Sequence, residues 1–182
     1  QQMEYLIDTL ADAKEYGSIL NVEKCDWKLL QRYSDDFNID GQISLDSVGA
    51  EHTQTRIKEL VSLGEAMAQK YDVVITNPPY MGSSGMNAKV SEYVKKNYPD
   101  SKSDLFAVFI EKCSEMTKKD SFTAMITQHA WMFLSSFEKL RSKLLLNDIV
   151  NMAHLGARAF EEIGGEVVQA TSFITRKSNI TE

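Results

Sequence analysis

The most informative segment of this sequence is YDVVITNPPY, residues 71–80. It starts with a short run of apolar and β-branched residues, which predicts a buried strand over residues 71–76. Two consecutive prolines must end that strand, because proline has no backbone N–H to donate to a sheet. The strand therefore stops at a stiff shelf that presents the Asn77 amide, the Pro78 carbonyl and the Tyr80 ring. These groups suit the holding of a flat, amine-bearing molecule by its edge and its face.

Hydrophobic periodicity divides the rest of the chain into alternating helices and strands. Helices are predicted over residues 3–14, 26–33, 53–70, 103–117 and 135–146, and further strands over residues 18–22, 122–127, 149–155 and 167–175. Turn-forming residues predict loops over residues 34–49 and 81–101. The alternation predicts an α/β fold with a mostly parallel sheet, whose ligand site lies at the carboxyl ends of the strands. The last two strands are separated by only about a dozen residues, so they are predicted to be antiparallel.

Composition and charge limit the classes of protein to which this chain can belong. It has 182 residues, of which 43% are hydrophobic, and no apolar stretch approaches the roughly 20 residues of a membrane helix. No signal peptide is visible, so we expect a cytoplasmic protein without membrane association. Cys25 and Cys113 lack metal-ligand spacing, so we expect two reduced thiols and no metal site. The net charge of −6 comes from residues 1–70, which excludes a stand-alone basic DNA-binding module.

The exocyclic amine of an aromatic ring, such as N6 of adenine, is a group that this shelf can hold. Its lone pair is delocalised into the ring, so the amine is a poor nucleophile. If the Asn77 side-chain oxygen and the Pro78 carbonyl accept both amine hydrogens, the lone pair returns to nitrogen, and Tyr80 can stack on the ring. A base inside a duplex must be flipped out to reach these groups. The alternative interpretation is a simple turn, against which the preceding strand argues.

The segment resembles the (D/N/S)-P-P-(Y/F) catalytic motif of methyltransferases that act on amino groups. The similarity continues in the order typical of the gamma-class DNA adenine-N6 methyltransferases, through residues 104–112, 127–134, 154–160 and 167–176. It covers roughly residues 71–177 and is closest in character to the large methyltransferases of bacterial restriction–modification and BREX phage-defence systems. The resemblance implies the second half of a Rossmann-like, S-adenosylmethionine-dependent methyltransferase sheet, mostly parallel with a terminal antiparallel strand pair.

The resemblance also implies roles for individual residues. Asn77, Pro78, Pro79 and Tyr80 would form the catalytic motif, in which Asn77 and Pro78 bind the target amine and Tyr80 stacks on a flipped adenine. Phe160 would stack on that base from the other side, and a buried loop anchor is the alternative for this residue.

Cofactor contacts are implied further along the chain. Leu105 and Phe109 would line the pocket for the adenine of S-adenosylmethionine, but both lie on the apolar face of a predicted helix, so core packing is an equal alternative. Trp131 and His129 are interpreted as structural or pocket-edge residues and not as catalytic bases.

One departure from the family pattern concerns the cofactor. Residues 1–70 contain no glycine-rich cofactor loop and no acidic residue placed to hold a ribose, so the S-adenosylmethionine site is expected to be incomplete in this chain. Residues 1–70 are predicted to be an acidic helical or linker region, and residues 71–182 the catalytic half of the domain. Double-stranded DNA would be bound through domains largely outside this chain, with defence-system proteins as candidate partners. We therefore expect that the 182 residues alone do not methylate.

Two other functions fit the same shelf. A methyltransferase for a release-factor glutamine or for a ribosomal RNA base also uses Asn-Pro-Pro-Tyr, and a base-stacking Phe160 would favour nucleic acid over a glutamine side chain. A non-catalytic α/β interaction module would keep the shelf and dock a partner protein. Binding of S-adenosylmethionine by the parent protein would separate the enzyme from this module.

Overall fold

The computed structural model describes residues 1–36, 45–156 and 169–178. The helices are α1 (Gln2–Leu10), α2 (Ala13–Tyr16), α3 (Trp27–Asp35), α4 (Leu45–Ala68), α5 (Ala88–Asn97), α6 (Leu105–Met116) and α7 (Glu138–Leu144). The strands are β1 (Tyr71–Thr76), β2 (Thr117–Gln128), β3 (Asp148–Gly156) and β4 (Ala170–Arg176), and short 3-10 turns lie at Gly17–Ile19, His129–Met132 and Ser135–Phe137. None of the described helices is long and apolar enough to cross a lipid bilayer.

The chain divides into two compact units, Gln1–Gln69 and Lys70–Glu182. In the first unit, helices α1 and α3 both pack against α4. Gly64 on α4 permits close packing, because a Cβ there would lie 2.5 Å from Leu6 Cδ1 and 3.2 Å from Trp27 Cζ3. The helix predicted over residues 26–33 is confirmed as α3.

Two predictions for the first unit are wrong. The strand predicted over residues 18–22 is instead a 3-10 turn, Gly17–Ile19, followed by residues without regular structure. Its apolar residues Ile19 and Leu20 are buried, but no described strand of this unit lies beside them to complete a sheet. The loop predicted over residues 34–49 is wrong from Leu45 onward, where α4 begins. Asp46, Ser47 and Gly49 are turn-forming residues, but they lie inside this helix, since local propensity is only a weak guide to structure.

The second unit contains a four-stranded sheet with the order β1-β2-β4-β3. Strands β1 and β2 are parallel, and β4 is antiparallel to both β2 and β3. It follows that β1, β2 and β3 all run in one direction and that only β4 is reversed. The predicted α/β class and the antiparallel β3–β4 pair are confirmed. The sheet was predicted to be mostly parallel, but among the described strands only the β1–β2 pair is parallel and the other two pairs are antiparallel. The insertion of β4 between β2 and β3 was not predicted.

The core of the second unit lies between the sheet and the helices α6 and α7. Its buried members are Phe106, Ala107, Ile110, Cys113, Met125, Trp131, Phe137, Leu140, Leu144 and Phe173. The predicted helices over residues 103–117 and 135–146 are thus confirmed, although the second begins as a 3-10 turn. This core fixes α6, whose first turn follows the connection from β1.

Strand β1 is more exposed than its sequence predicts. Val74 packs against the core, but Val73 and Ile75 on the opposite face are 59% and 77% exposed. The prediction of a buried strand over residues 71–76 is therefore wrong for these two residues. Helix α6 contacts β1 and the core lies on the face that carries Val74, whereas Val73 and Ile75 on the other face are open to solvent.

The connection after residue 80 is partly helical, whereas a loop was predicted over residues 81–101. Helix α5 is capped by Asn87, whose side chain accepts a hydrogen bond from the Val90 backbone N–H at 2.9 Å. Val90 and Val94 are buried one helical turn apart, so one face of α5 packs inward. Polar residues on both sides of these valines, Lys89, Lys95, Lys96 and Asn97, obscure that short periodicity in the sequence.

Candidate active site

The proline-rich shelf lies at the carboxyl end of β1, as predicted. Strand β1 runs parallel to β2 up to the register pair Thr76 and Met125, and the chain then leaves the sheet. Asn77 and Pro79 are exposed, whereas Pro78 between them is buried. Pro78 therefore anchors the shelf to the protein while the Asn77 amide stands at the surface.

Tyr80 is held against the core. Its ring meets Phe106 edge to face, with centroids 6.1 Å apart and planes at 83°. Its hydroxyl is buried and has no hydrogen-bond partner among the described residues. Burial raises the pKa of this hydroxyl, so the phenol stays neutral at any physiological pH.

Asp104 joins the segment after the shelf to the start of α6. One oxygen of its side chain, Oδ1, accepts hydrogen bonds from the backbone N–H groups of Met81 (3.1 Å) and Phe106 (3.3 Å). The backbone N–H of Leu105 also donates to the Met81 carbonyl at 2.9 Å. These contacts hold the first turn of α6 directly beside Tyr80. The sequence contained the signal for this role, because an aspartate before an apolar helical run is a typical N-cap.

The remaining predicted site residues are placed as follows. Leu105 is partly buried beside Met81, and Phe109 is partly buried against the core cluster. The shelf, Tyr80 and the start of α6 are thus brought together, while cofactor contact by Leu105 and Phe109 stays a prediction. Phe160 lies outside the described residues.

Trp131 is a structural residue of the core. It is 3% exposed, and its Nε1 donates a hydrogen bond to Thr127 Oγ1 at 3.0 Å. Arg141 Nη1 donates to the carbonyls of Trp131 (2.7 Å) and Leu134 (2.6 Å) and so holds the segment after β2 against α7.

Two histidines meet at the same edge of the sheet, a pairing that the sequence did not reveal. His129 follows β2 directly, His154 lies near the carboxyl end of β3, and Nδ1 of His129 is 2.8 Å from Nε2 of His154. Burial and the neighbouring His154 lower the pKa of His129. Strands β2 and β3 are not neighbours in the sheet, because β4 lies between them. The order of the strands in the sequence therefore did not predict this contact.

A cavity of about 190 Å³ lies elsewhere, between α6, α7 and the sheet. Ile110, Leu144 and Phe173 form part of its apolar wall, and Glu111 and Lys143 are charged residues that also line it. None of the predicted site residues that the structure describes lines this cavity, so the cavity is separate from the Asn77 shelf.

Two known proteins are similar to this sequence over most of its length. It is 46% identical over 169 residues to an adenine-specific methyltransferase, PglX, of Lacticaseibacillus casei (strain Zhang), with 92% of this chain and 14% of the relative covered. It is 40% identical over 185 residues to an adenine-specific methyltransferase, BrxX, of Escherichia coli O9:H4 (strain HS), with 98% of this chain and 15% of that relative covered. The chain thus spans about one-seventh of the length of these relatives.

A solved structure from a type I R-M system has the same fold over part of the chain. The TM-score is 0.50 at 17% sequence identity, and the match covers 62% of this chain and 22% of the other. At this identity the likeness concerns the fold alone. The family model for the Eco57I restriction-modification methylase matches residues 10–160, which is most of the sequence. The resemblance to adenine-specific DNA methyltransferases is confirmed, and this chain belongs to the Eco57I restriction-modification methylase family.

Proposed function

We propose that this chain forms the amine-holding part of an enzyme that transfers a methyl group to N6 of an adenine flipped out of double-stranded DNA. The enzyme would act in restriction–modification or in BREX-type phage defence. The observation that carries the proposal is the exposed Asn77 amide on a proline-anchored shelf, in a chain whose relatives are adenine-specific methyltransferases. Contacts to the DNA backbone would come largely from regions of the relatives that this chain does not match, and defence-system partners stay a prediction.

The chemistry follows from the groups at the shelf. The Asn77 side-chain oxygen and the Pro78 carbonyl accept the two N6 hydrogens, which restores the nitrogen lone pair and aims it outward from the sheet edge. Pro78 and Pro79 have no backbone N–H, so no neighbouring donor competes for these two oxygens. The proton leaves the amine after the transfer, so no side chain with an unusually low pKa is required.

The described residues fit only one side of the cofactor. S-adenosylmethionine supplies an electrophilic methyl group when it is bound. Leu105 and Phe109 are partly buried apolar side chains near the shelf, suited to one face of an adenine ring. Residues 1–70 have no glycine-rich loop for the ribose and methionine parts. The rest of the cofactor site would therefore come from segments outside these 182 residues.

The proposal can be tested by exchanging the matching segment of a relative. The matching residues of the Lacticaseibacillus casei relative would be replaced by this chain, and adenine methylation of host DNA would be read by direct sequencing of modified bases. We expect the chimera to methylate the same sites as its parent. In the chimera, Asn77→Ala is expected to lower the rate roughly 100-fold or more, because one amine hydrogen loses its acceptor.

Asn77→Asp is the matched variant, because it keeps a side-chain oxygen at the same place, and it is expected to retain much more activity than Asn77→Ala. Asn97→Ala, at the last residue of α5, where the side chain donates to the Tyr93 carbonyl of its own helix, serves as the control and is expected to leave the rate unchanged. A chimera that folds, binds S-adenosylmethionine and methylates equally well with alanine at position 77 would refute the assignment.

A further inference from the structure

The contact between His129 and His154 is unusual because two imidazole nitrogens face each other directly. Nδ1 of His129 lies 2.8 Å from Nε2 of His154. The ring centroids are 5.1 Å apart and the ring planes differ by 28°. The centroid separation exceeds the N···N distance by little more than the two ring radii, so the rings meet edge to edge and do not stack face to face. In this arrangement a single hydrogen lies between two nitrogens whose lone pairs point at the same place.

The surrounding structure fixes the backbone positions of both histidines. The backbone N–H of His129 donates to the Gln169 carbonyl at 2.9 Å, and the Phe133 ring packs edge-on against the His129 ring at 5.5 Å. His154 belongs to β3, where it pairs with Thr171 of β4. The two imidazoles are therefore preorganised by the register of β3 on β4 and by the turn that follows β2.

The pair is also open to solvent. His154 is exposed and His129 is partly exposed. An imidazole nitrogen with a free lone pair is the side-chain ligand that zinc, copper and nickel ions favour. A metal ion that takes the place of the shared hydrogen requires the nitrogens to move from 2.8 Å to roughly 3.3 Å apart for tetrahedral coordination. Rotations of the two imidazole side chains provide this movement, because His154 is exposed and His129 is partly exposed.

We propose that His129 and His154 form a two-imidazole binding site for a divalent transition-metal ion such as Zn²⁺, Cu²⁺ or Ni²⁺. Among the described residues there is no cluster of three or more His, Cys, Asp or Glu that could hold a metal. Water must therefore complete the coordination shell, and the affinity is expected to be micromolar and not nanomolar. The site does not depend on methyl transfer, so its test and the test of the proposed function can fail separately.

The chain provides its own control for this proposal. It contains three histidines, and the third, His52, lies on α4 in the first unit. Cys25 is the partly exposed thiol and a competing metal ligand, so the measurements use a Cys25→Ser background. Zn²⁺ alone is titrated into the chain by isothermal calorimetry, and the imidazole nitrogens are observed by long-range ¹H–¹⁵N NMR.

We expect one Zn²⁺ ion per chain, tighter binding of Cu²⁺ than of Zn²⁺, and no competition by Mg²⁺ or Ca²⁺. His129→Ala and His154→Ala should each weaken Zn²⁺ binding roughly tenfold or more, whereas His52→Ala should not change it. In the Cys25→Ser protein with all three histidines present, Zn²⁺ should shift the His129 Nδ1 and His154 Nε2 signals. This measurement tests the site without relying on the folding of any histidine variant. Three results would each overturn the proposal: unshifted imidazole signals, a Zn²⁺ affinity of His129→Ala or His154→Ala equal to that of the parent, or displacement of Zn²⁺ by Mg²⁺.

Discussion

At the scale of single residues, the Tyr80 hydroxyl stands out as a buried polar atom with no partner among the described residues. Tyr80→Phe removes this atom and keeps the ring against Phe106, so we expect stability to stay equal or to rise by about 1 kcal/mol or less. Tyr80→Ala also removes the ring contact and is expected to cost about 2 kcal/mol. Urea unfolding of the three proteins measures these differences. A phenylalanine variant clearly less stable than the parent would mean that the hydroxyl has a partner after all.

The two cysteines are predicted to differ in reactivity. Burial raises the pKa of Cys113 to about 11, and Cys113 is 4% exposed. Very little of this thiol is ionised at pH 8, and an alkylating reagent in solution cannot reach it. Burial, with the nearby Glu23, also raises the pKa of Cys25, but Cys25 is partly exposed. We expect iodoacetamide at pH 8 to label Cys25 in the folded protein and Cys113 only after unfolding.

Mass spectrometry of tryptic peptides, sampled over time with and without urea, distinguishes the two thiols. The control is a Cys25→Ser variant, which should take up almost no label until it unfolds. Labelling of Cys113 in the folded variant at a rate near that of Cys25 would contradict its burial.

At the scale of elements, Asp104 holds the start of α6 beside the shelf. Asp104→Ala leaves two backbone N–H groups without their acceptor, so we expect a loss of about 1–2 kcal/mol in the free energy of unfolding. Asp104→Asn keeps an acceptor oxygen and is expected to lie within a few tenths of a kcal/mol of the parent. Urea unfolding monitored by far-UV circular dichroism provides the comparison. Equal losses of unfolding free energy in the two variants would mean that the negative charge of Asp104, and not its hydrogen bonds, stabilises this segment.

Lys143 on α7 joins two carboxylates of the segment around α6. Its Nζ lies 2.7 Å from Asp100 and 2.6 Å from Glu111. The hydrogen bond from Lys143 lowers the pKa of Asp100 below its usual value. A carboxyl whose pKa is lowered by folding stabilises the protein above its unfolded pKa of about 3.9, and this stabilisation is lost as pH falls through the lower folded value.

Lys143→Met is therefore expected to destabilise the protein by about 1 kcal/mol or less at pH 7, since water screens part of the attraction. The melting temperature of the variant should also depend less steeply on pH between neutrality and pH 2 to 3. Lys139→Met is the matched control, because Lys139 is 81% exposed and lies 3.9 Å from Asp100. Identical pH profiles for the Lys143 variant and the parent would show that the ion pair does not contribute.

At the scale of the whole molecule, the chain has one tryptophan in each compact unit, Trp27 in the first and Trp131 in the second. Gly64→Val introduces a side chain where Leu6 and Trp27 leave no room, so we expect a loss of about 1–3 kcal/mol in the first unit. In a Trp131→Phe background the Trp27 fluorescence transition should move to lower urea. In a Trp27→Phe background the Trp131 transition should stay in place.

Ser62→Val, an exposed position on the same helix, controls for the lower helix propensity of valine. A shift of both tryptophan transitions by Gly64→Val would mean that the two units unfold as one.

Features that depend on neighbouring residues were predicted from the sequence, whereas features that depend on residues far apart in the chain were not. The strand and shelf over residues 71–80 were predictable, because β-branched residues and two prolines act locally. Helix α6 was predictable from its apolar periodicity and its Asp104 cap. Helix α5 was not, since only Val90, Val94 and its Asn87 cap marked it within a lysine-rich segment. The strand predicted over residues 18–22 failed because a strand exists only beside a partner.

The sequence by itself determined the Asn-Pro-Pro-Tyr shelf at the end of a strand, the α/β class and the family, because each depends on neighbouring residues and their order. Only the tertiary structure decided that β4 lies between β2 and β3, that Val73 and Ile75 of β1 are exposed, and that His129 meets His154. These features depend on which strands pair and in what register. That choice is made by packing between residues far apart in the chain, which no local pattern encodes.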